Sequence, residues 1–265
     1  MNLPEQGPGG KGGRSTRALS ISRLMTLRGL TAIDLGSHEG YNSLDLFESG
    51  CASVVGIEIR DRYVEVAREE ARKLGYTSVS FLKADVRTID EQGLGRFDLC
   101  LCTGLLYHMQ NPFNLLKRIR NICKVMALET HIAPSFLNLF AAGNKYRCNL
   151  TWMRRTVTLD GRPFTGRLNV FPPSQDMQKT SGSVVSHSTF WLDQGSLLKA
   201  LDLAGFRTKA VYFGVTPTGF PDILVDHGRS RTKVFVLAEV KDHDGPPEKV
   251  EPGKMEGCPR LVVVA

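Results

Sequence analysis

The stretch IDLGSHEGYNSLDLF, residues 33–47, changes from an apolar pattern to glycines and then to a helical pattern. The apolar run that begins at residue 31 predicts a short buried strand, and YNSLDLFESG predicts an amphipathic helix. Gly36 and Gly40 lie between the two, where a residue without a Cβ allows a tight turn and the close approach of a ligand. The stretch therefore predicts a strand–loop–helix unit whose loop binds a ligand.

Strands and helices alternate beyond this unit. Four more short apolar strands are predicted, with helices starting near residues 61 and 111; the strands span 53–59, 79–85, 97–104 and 124–130. This alternation is typical of a parallel, doubly wound sheet, and nearly all-apolar strands fit a sheet that is covered on both faces.

The C-terminal half departs from this rhythm. Residues 133–188 mix glycine, proline, arginine and aromatic residues, which predicts an insertion with little regular structure. A helix is predicted at 193–206, and strands at 208–214 and 232–240 have no helix between them, which predicts an antiparallel pair. The predicted fold is α/β: a doubly wound, mostly parallel, seven-stranded Rossmann-like sheet with an antiparallel last strand and an insertion after the fifth strand.

The ends of the chain are rich in glycine, proline and charge and poor in apolar residues. This composition predicts a disordered tail at 1–20, one domain at 21–241 that includes the insertion 133–188, and a flexible tail at 242–265. We interpret the insertion as a lid or substrate region, because it follows a strand end where ligands bind.

Composition limits the class of protein. There is no run of about 18 apolar residues, so no membrane span is expected. The six cysteines lack the paired spacing of a metal site, which predicts free thiols in a cytoplasmic protein without a bound metal. The net charge of +7 is concentrated in residues 1–28 and in residues 133–179, and the second segment contains seven basic residues and two acidic ones. Basic segments attract nucleic acid, but no aromatic-interleaved binding motif accompanies these, and we favour a solvated surface.

Three ligand chemistries could use the glycine loop. A phosphate loop would need a Gly-Lys-Ser/Thr ending, which is absent. A dinucleotide loop would need Gly-x-Gly-x-x-Gly, whereas this loop has Gly-x-x-x-Gly, and Asp34 would repel a pyrophosphate. A ligand that carries an ammonium and a sulfonium but no phosphate suits Asp34 and Glu39, and this points to S-adenosyl-L-methionine.

Acidic residues at two further strand ends agree with a nucleoside. Glu58 ends the second strand, about 20 residues beyond the glycines, where a carboxylate can accept both ribose hydroxyls. Asp85 ends the third strand, where it can accept from the adenine amino group. A single acid at a strand end is common, so the indication comes from three acids together with the glycine loop.

These motifs resemble those of the class I S-adenosylmethionine-dependent methyltransferases. AIDLGSHEGYNSLDLF, VVGIEIRDRYVEVAR, FLKADV and FDLCLCTGLLYHMQNPFNLLKRI follow that family's motif order. The resemblance is to the bacterial branch with G-x-x-E-G and L-Y-H, which includes small-molecule methyltransferases and relatives of enzymes that modify the tRNA wobble uridine. His38 replaces the middle glycine of the commoner loop. The resemblance implies a cofactor site made of Asp34, Gly36, Ser37, His38, Gly40, Tyr41, Glu58, Ile59, Asp85, Val86, Cys102 and Thr103.

The methyl-transfer site should lie just past the fourth strand, in TGLLYHM. Histidine titrates near neutrality and is the usual general base, so His108 is our candidate base, with Tyr107 lining the pocket. The structural alternative is that His108 packs under the next helix. Glu129 and His131 end the fifth strand, and Trp191 precedes the last helix; all three are candidate substrate residues that could equally serve packing.

These features predict a methyltransferase that acts on a small molecule at oxygen. An RNA-modifying methyltransferase is the first alternative, supported by the basic insertion but lacking a recognisable RNA-binding module. A protein that binds the cofactor without catalysis is the second alternative. The sequence leaves the acceptor and the oligomeric state open.

Overall fold

The computed structural model describes residues 17–134, 150–151, 153–170, 188–213, 232–241 and 261–262. The predicted tail at 1–20 falls mainly outside these residues, but its last part is structured: helix α1 spans Arg17–Ser22 and buries Ala18 and Ile21. The tail predicted at 242–265 lies outside the described residues except for a two-residue strand, Leu261–Val262. No helix in the described part of the chain is long and apolar enough to cross a bilayer.

The main sheet confirms the predicted fold class. Its strand order is β11-β9-β10-β5-β4-β1-β2-β3, with β1 to β5 parallel and β10 antiparallel to both β5 and β9. The strands are β1 Thr31–Leu35, β2 Ser53–Glu58, β3 Val79–Lys83, β4 Phe97–Thr103, β5 Cys123–His131, β9 Phe206–Phe213, β10 Lys233–Val240 and β11 Leu261–Val262. The short β11 extends the seven predicted strands to eight by pairing with β9.

Helices cover both faces of this sheet. They are α2 Tyr41–Glu48, α3 Asp61–Lys73, α4 Pro112–Ile122 and α5 Gln194–Leu203, with 3-10 turns at Val86–Glu91 and Leu106–His108. The helices α4 and α5 begin at side-chain caps, since Asn111 and Asp193 each accept a backbone N–H of the first turn. One apolar core lies on the α4–α5 face, and a second lies under α1, α2 and α3.

The prediction of little regular structure in the insertion is wrong for its described part. Strands β6 Arg155–Leu159 and β7 Arg162–Val170 form a hairpin, and β8 Ser188–Leu192 pairs with β7 to complete a three-stranded antiparallel sheet. The hairpin turns at Asp160 and Gly161, which both have positive φ angles, 49° and 73°. An Asp-Gly pair with two positive φ angles is typical of a two-residue hairpin turn, and this signal was present in the sequence.

Candidate functional site

The glycine loop joins β1 to α2 and is held by hydrogen bonds from its own amides. Gly36 N and Ser37 N donate to Ile57 O at 2.8 and 2.9 Å, and Gly40 N donates to Ser37 O at 2.8 Å. His38 N donates to the Glu58 carboxylate at 3.2 Å. A pyrophosphate is bound chiefly through loop amides, and these four already have partners. The geometry therefore agrees with a ligand that carries no phosphate.

Gly40 is needed for the packing of neighbouring side chains against the loop. Its φ of 84° lies in the left-handed region, and a Cβ there would come within 2.6 Å of the Phe81 ring and 2.9 Å of Ala67. The space that the missing Cβ leaves is thus filled by the protein, which corrects the expectation that it admits a ligand. Gly36 also has a positive φ, 74°, and a Cβ on it would lie 3.4 Å from the Leu105 side chain. Both glycines allow the loop to turn tightly against its neighbours.

Asp34, on β1 just before this loop, offers an acceptor that no described residue uses. Its side chain is 1% exposed, and Ser43 Oγ donates to Oδ2 at 2.7 Å. The other oxygen, Oδ1, has no hydrogen bond with the described residues. Burial raises the pKa of Asp34 to about 6, although the Ser43 hydrogen bond and the charge of Arg17 lower it. A buried carboxylate with an unused oxygen fits an ammonium group, because a buried charge is stable only when it is paired.

The Glu58 carboxylate accepts more hydrogen bonds from the protein itself than the sequence suggests. Its Oε1 accepts from the amides of Ile59 and Arg60, both at 3.0 Å, while Oε2 accepts from His38 N. The side chain is 5% exposed. Glu58 thus stabilises the loop after β1, and its predicted contact with ribose hydroxyls remains a prediction.

Most of the other predicted cofactor residues line this edge of the sheet. His38 has a φ of 52° and packs on Tyr63 with ring centroids 3.7 Å apart. Asp85 accepts from the Arg87 side chain and backbone, and chiefly this side-chain hydrogen bond lowers the pKa of Asp85. The rest are the buried Ser37 and Thr103, the half-buried Ile59 and Val86, and the exposed Tyr41 at the start of α2. Their contacts with the cofactor stay predictions.

Cys102 differs from these residues in its surroundings. It is 0% exposed and belongs to the apolar core on the α4–α5 face. Burial raises the pKa of its thiol to about 12. Its side chain is therefore an inert part of the core, and its predicted place beside the methionine moiety can concern only the backbone at the end of β4.

Four predicted catalytic and substrate residues come together in one aromatic group beyond β4 and β5. The Tyr107 ring lies 4.2 Å from that of His108, 4.7 Å from His131 and 5.5 Å from Trp191, measured between centroids. The His131 and Trp191 rings stack, with centroids 5.2 Å apart and planes inclined by 17°. Trp191 reaches this group because β8 lies against the turn after β4, where Phe190 N donates to Met109 O at 2.9 Å.

Both histidines of the aromatic group are neutral at physiological pH. Burial lowers the pKa of His108 to about 4, and the charge of Arg60 adds to this effect. Burial lowers the pKa of His131 to about 3, and its Nδ1 lies 3.0 Å from Thr232 Oγ1. By contrast, the Nδ1 atom of His108 is buried and has no hydrogen bond within the described part of the chain.

Glu129 does not join the aromatic group but forms ion pairs. Its Oε1 accepts from Arg17 Nη2 at 3.1 Å and from Lys233 Nζ at 3.2 Å, and its Oε2 accepts from Arg17 Nε at 3.3 Å. Sequence reasoning missed both cations, because Arg17 and Lys233 are more than 100 residues away from Glu129. No group of three or more potential metal ligands occurs among the described residues.

The sheet order, the glycine loop and the acids at successive strand ends define a Rossmann-like domain of the kind that binds S-adenosylmethionine. Residues 27–147 match the family model described as a methyltransferase domain. The chain contains a class I S-adenosylmethionine-dependent methyltransferase domain, a family whose cofactor is S-adenosyl-L-methionine.

The chain spans slightly less than half the length of the curated relatives that it matches. A tRNA U34 carboxymethyltransferase of Helicobacter acinonychis (strain Sheeba) is 25% identical over 128 residues, which are 45% of this chain and 47% of the relative. A ubiquinone biosynthesis O-methyltransferase of Dechloromonas aromatica (strain RCB) is 28% identical over 104 residues, which are 39% of this chain and 44% of the relative.

Solved structures cover more of the chain. The N-terminal domain of EvdMO1 with SAH bound aligns with a TM-score of 0.60 and 26% identity, over 84% of this chain and 79% of that one. A methyltransferase from Mesorhizobium loti aligns with a TM-score of 0.56 and 18% identity over 87% of this chain and all of that one. The second likeness shows the shared fold alone.

Proposed function

We propose that this protein transfers a methyl group from S-adenosylmethionine to a hydroxyl oxygen of a small-molecule acceptor, with His108 as the general base. The observation that carries the proposal is the state of His108. Its ring is neutral, its Nδ1 lacks a partner among the described residues, and Tyr107 packs beside it at the carboxyl end of β4. In a parallel sheet, ligands bind at this end of the strands.

The cofactor supplies a methyl group that is already activated by its sulfonium. The protein has to align the acceptor oxygen, exclude water and remove the hydroxyl proton. The proposed acceptor of that proton is His108 Nδ1. Because its pKa lies well below neutrality, His108 is unprotonated at pH 7, and it would accept the proton as the new carbon–oxygen bond forms.

The remaining aromatic residues provide the pocket wall. Tyr107, His131 and Trp191 pack against one another, and because Trp191 and His131 are only 3% and 7% exposed, the half-buried Tyr107 is the ring that can face an acceptor. Such a wall suits a compact acceptor that is held by stacking and shielded from water. Asp34, with its unused Oδ1, would hold the ammonium of the cofactor's methionine moiety.

The comparisons support a small molecule as the acceptor class. One relative is a ubiquinone biosynthesis O-methyltransferase, and the EvdMO1 domain was also solved in the presence of SAH and D-fucose, aligning with a TM-score of 0.61 at 25% identity. Both names associate this kind of domain with small hydroxylated compounds, and we extend that association to this chain as part of the proposal.

The proposal is tested with purified full-length protein, tritium-labelled S-adenosylmethionine and a panel of phenols and sugars. With an accepted compound, His108→Asn should lower kcat by about 100-fold or more, the usual contribution of a general base, while the Kd for S-adenosylhomocysteine stays unchanged. Gln110→Ala is the matched control, since Gln110 is exposed two residues after His108 and belongs neither to the aromatic group nor to the core, and it should leave kcat unchanged. Unchanged turnover in His108→Asn would exclude His108 as the base.

RNA methylation is the second candidate, favoured by the tRNA U34 carboxymethyltransferases among the relatives. The insertion hairpin adds two exposed arginines, Arg155 and Arg162, which would suit a phosphate backbone. The same assay distinguishes the two candidates when unmodified tRNA is included as an acceptor. Label transfer to tRNA, together with binding that weakens steeply with salt, would replace the small-molecule proposal.

A further inference from the structure

Arg167 of β7 is the largest of the fully buried side chains in the described part of the chain, and it is 2% exposed. Burying a guanidinium is unfavourable unless its N–H groups find acceptors. Arg167 Nε donates to Pro134 O at 3.1 Å, and Nη1 donates to Thr151 O at 2.7 Å. Pro134 lies just after β5 and Thr151 just before β6, so one planar group joins three separate segments of the chain.

The same segments carry the residues that support Tyr107. The supporting cluster of Ala133, Leu150 and Trp191 is buried and apolar, and Tyr107 packs against it. Ala133 and Leu150 directly precede the two residues whose carbonyl oxygens accept from Arg167. The guanidinium therefore fixes the backbone beside two of the three members of the supporting cluster.

Trp191, the third member, is tied to Arg167 through the three-stranded sheet. It is the register partner of Arg167 on the neighbouring strand β8, so the two side chains project from the same face of that sheet. Residues of the opposite face pack on the main apolar core; they include Phe164, Leu168 and Phe190. The apolar core therefore holds the sheet on one face, and the hydrogen bonds of Arg167 hold it on the other.

We propose that Arg167 is a positioning residue for methyl transfer: by fixing the supporting cluster, it sets where Tyr107 stands beside His108 and the acceptor. The inference rests on the proposed function, because it needs an acceptor that Tyr107 faces. The Tyr107 ring lies 5.5 Å from that of Trp191 and 4.2 Å from that of His108, measured between centroids. A displacement of the supporting cluster is thus passed to Tyr107 by direct contact, and an error of about 1 Å in alignment can lower a rate by about 100-fold.

The two hydrogen bonds require an arginine. The N–H groups of a guanidinium lie in one plane, so Nε and Nη1 can donate to two carbonyl oxygens at once. A methionine at this position would fill much of the volume but would take the donor away from both carbonyls, and an unpaired buried acceptor is unfavourable. A lysine carries a single nitrogen at the end of a flexible chain and cannot reproduce the two-carbonyl geometry.

The test separates the position of the supporting cluster from cofactor binding. Arg167→Met is compared with wild type in methyl transfer to a compound accepted in the assay proposed for His108, and calorimetry measures the binding of S-adenosylhomocysteine in parallel. We expect kcat to fall by about 10- to 100-fold while the Kd for S-adenosylhomocysteine stays unchanged. Arg207→Met is the matched control, because Arg207 is an exposed arginine on β9 of the main sheet, and it should change neither quantity.

A second readout follows Trp191 without any acceptor. The chain has two tryptophans, so Trp152→Phe leaves Trp191 as the single one, and its fluorescence reports on the supporting cluster. Trp191 is 3% exposed, so acrylamide should quench its fluorescence weakly, and Arg167→Met should increase this quenching. If Arg167→Met fails to fold, Arg167→Lys takes its place, with an expected loss in kcat of about 3- to 10-fold and a smaller increase in quenching.

Three results would overturn the inference. The first is a kcat of Arg167→Met equal to that of wild type; the second is an equal loss of kcat and of affinity for S-adenosylhomocysteine, which would mean a general structural role. The third is full recovery of kcat in Arg167→Lys, which would mean that the two-carbonyl geometry is unimportant. If the wild-type protein methylates no compound of the panel, the proposed function itself fails, and unchanged quenching of Trp191 in Arg167→Met would then overturn the inference separately.

Discussion

Replacing Asp34 by asparagine should stabilise the protein while it impairs cofactor binding. Asp34 is 1% exposed, and it retains one hydrogen bond, from Ser43, to its buried carboxylate. Its pKa is raised from 3.8 to about 6, mainly by burial. A carboxyl group with a raised pKa binds its proton more tightly in the folded than in the unfolded protein, so its ionisation destabilises the fold.

The size of this destabilisation follows from the difference between the pKa of Asp34 in the folded protein and in the unfolded chain. About two pKa units at ~1.4 kcal/mol each correspond to about 3 kcal/mol of lost stability once the pH is above 6. The cost develops between pH 4 and pH 6 and is absent below pH 4, where the group is protonated in both states. An asparagine amide in the same place would leave an unpaired N–H group, which costs ~1–2 kcal/mol. Asp34→Asn should therefore be about 1–2 kcal/mol more stable than wild type at pH 7.

The assay is urea unfolding of both proteins without ligand at pH 7 and pH 4, with calorimetric binding of S-adenosylhomocysteine at pH 7. The stability advantage of the variant should fall by about 3 kcal/mol between pH 7 and pH 4, and its affinity should drop at least about tenfold. Asp98→Asn is the control, because Asp98 accepts from Thr31 and pairs with Lys124, and its loss should destabilise at pH 7. A difference in stability between Asp34→Asn and wild type that does not vary with pH would show that the ionisation of Asp34 does not destabilise the fold.

Two further changes test the loop and the aromatic group. Gly40→Ala should cost about 2–4 kcal/mol in urea unfolding, because it adds a strained φ and a clash with Phe81, whereas Gly75→Ala, equally left-handed but with open space around it, should cost only about 1–2 kcal/mol. Equal losses in the two variants would show that packing against Phe81 is unimportant. The lowered pKa of His131 means that the unfolded chain binds the proton first, so stability is lost as pH falls from 6.5 toward 3, by about 2 kcal/mol at pH 5. His131→Asn should reduce the loss between pH 7 and pH 5 by about 2 kcal/mol, leaving the contribution of His108, whose pKa is also lowered; an unchanged loss would place its origin elsewhere.

Local sequence signals are sufficient to predict the main sheet. Short apolar strands, glycines at helix ends and side-chain caps such as Asn111 and Asp193 act within a few residues, so each unit could be read from its own stretch of sequence. The insertion was misread because its hairpin depends on the short Asp160-Gly161 signal, in a segment whose other residues resemble a loop.

The class of the domain can be predicted from the amino-acid sequence, because strand–helix alternation and acids at strand ends are periodic or local features. Which residues meet depends on the folded sheet: Tyr107, His131 and Trp191 form one ring cluster, and Arg17 pairs with Glu129 across 112 positions. The fold also places Phe81 in the space beside Gly40, where the sequence predicts room for a ligand. Burial, charge pairing and contact between distant segments arise only when the sheet brings its strand ends together, and no local pattern encodes them.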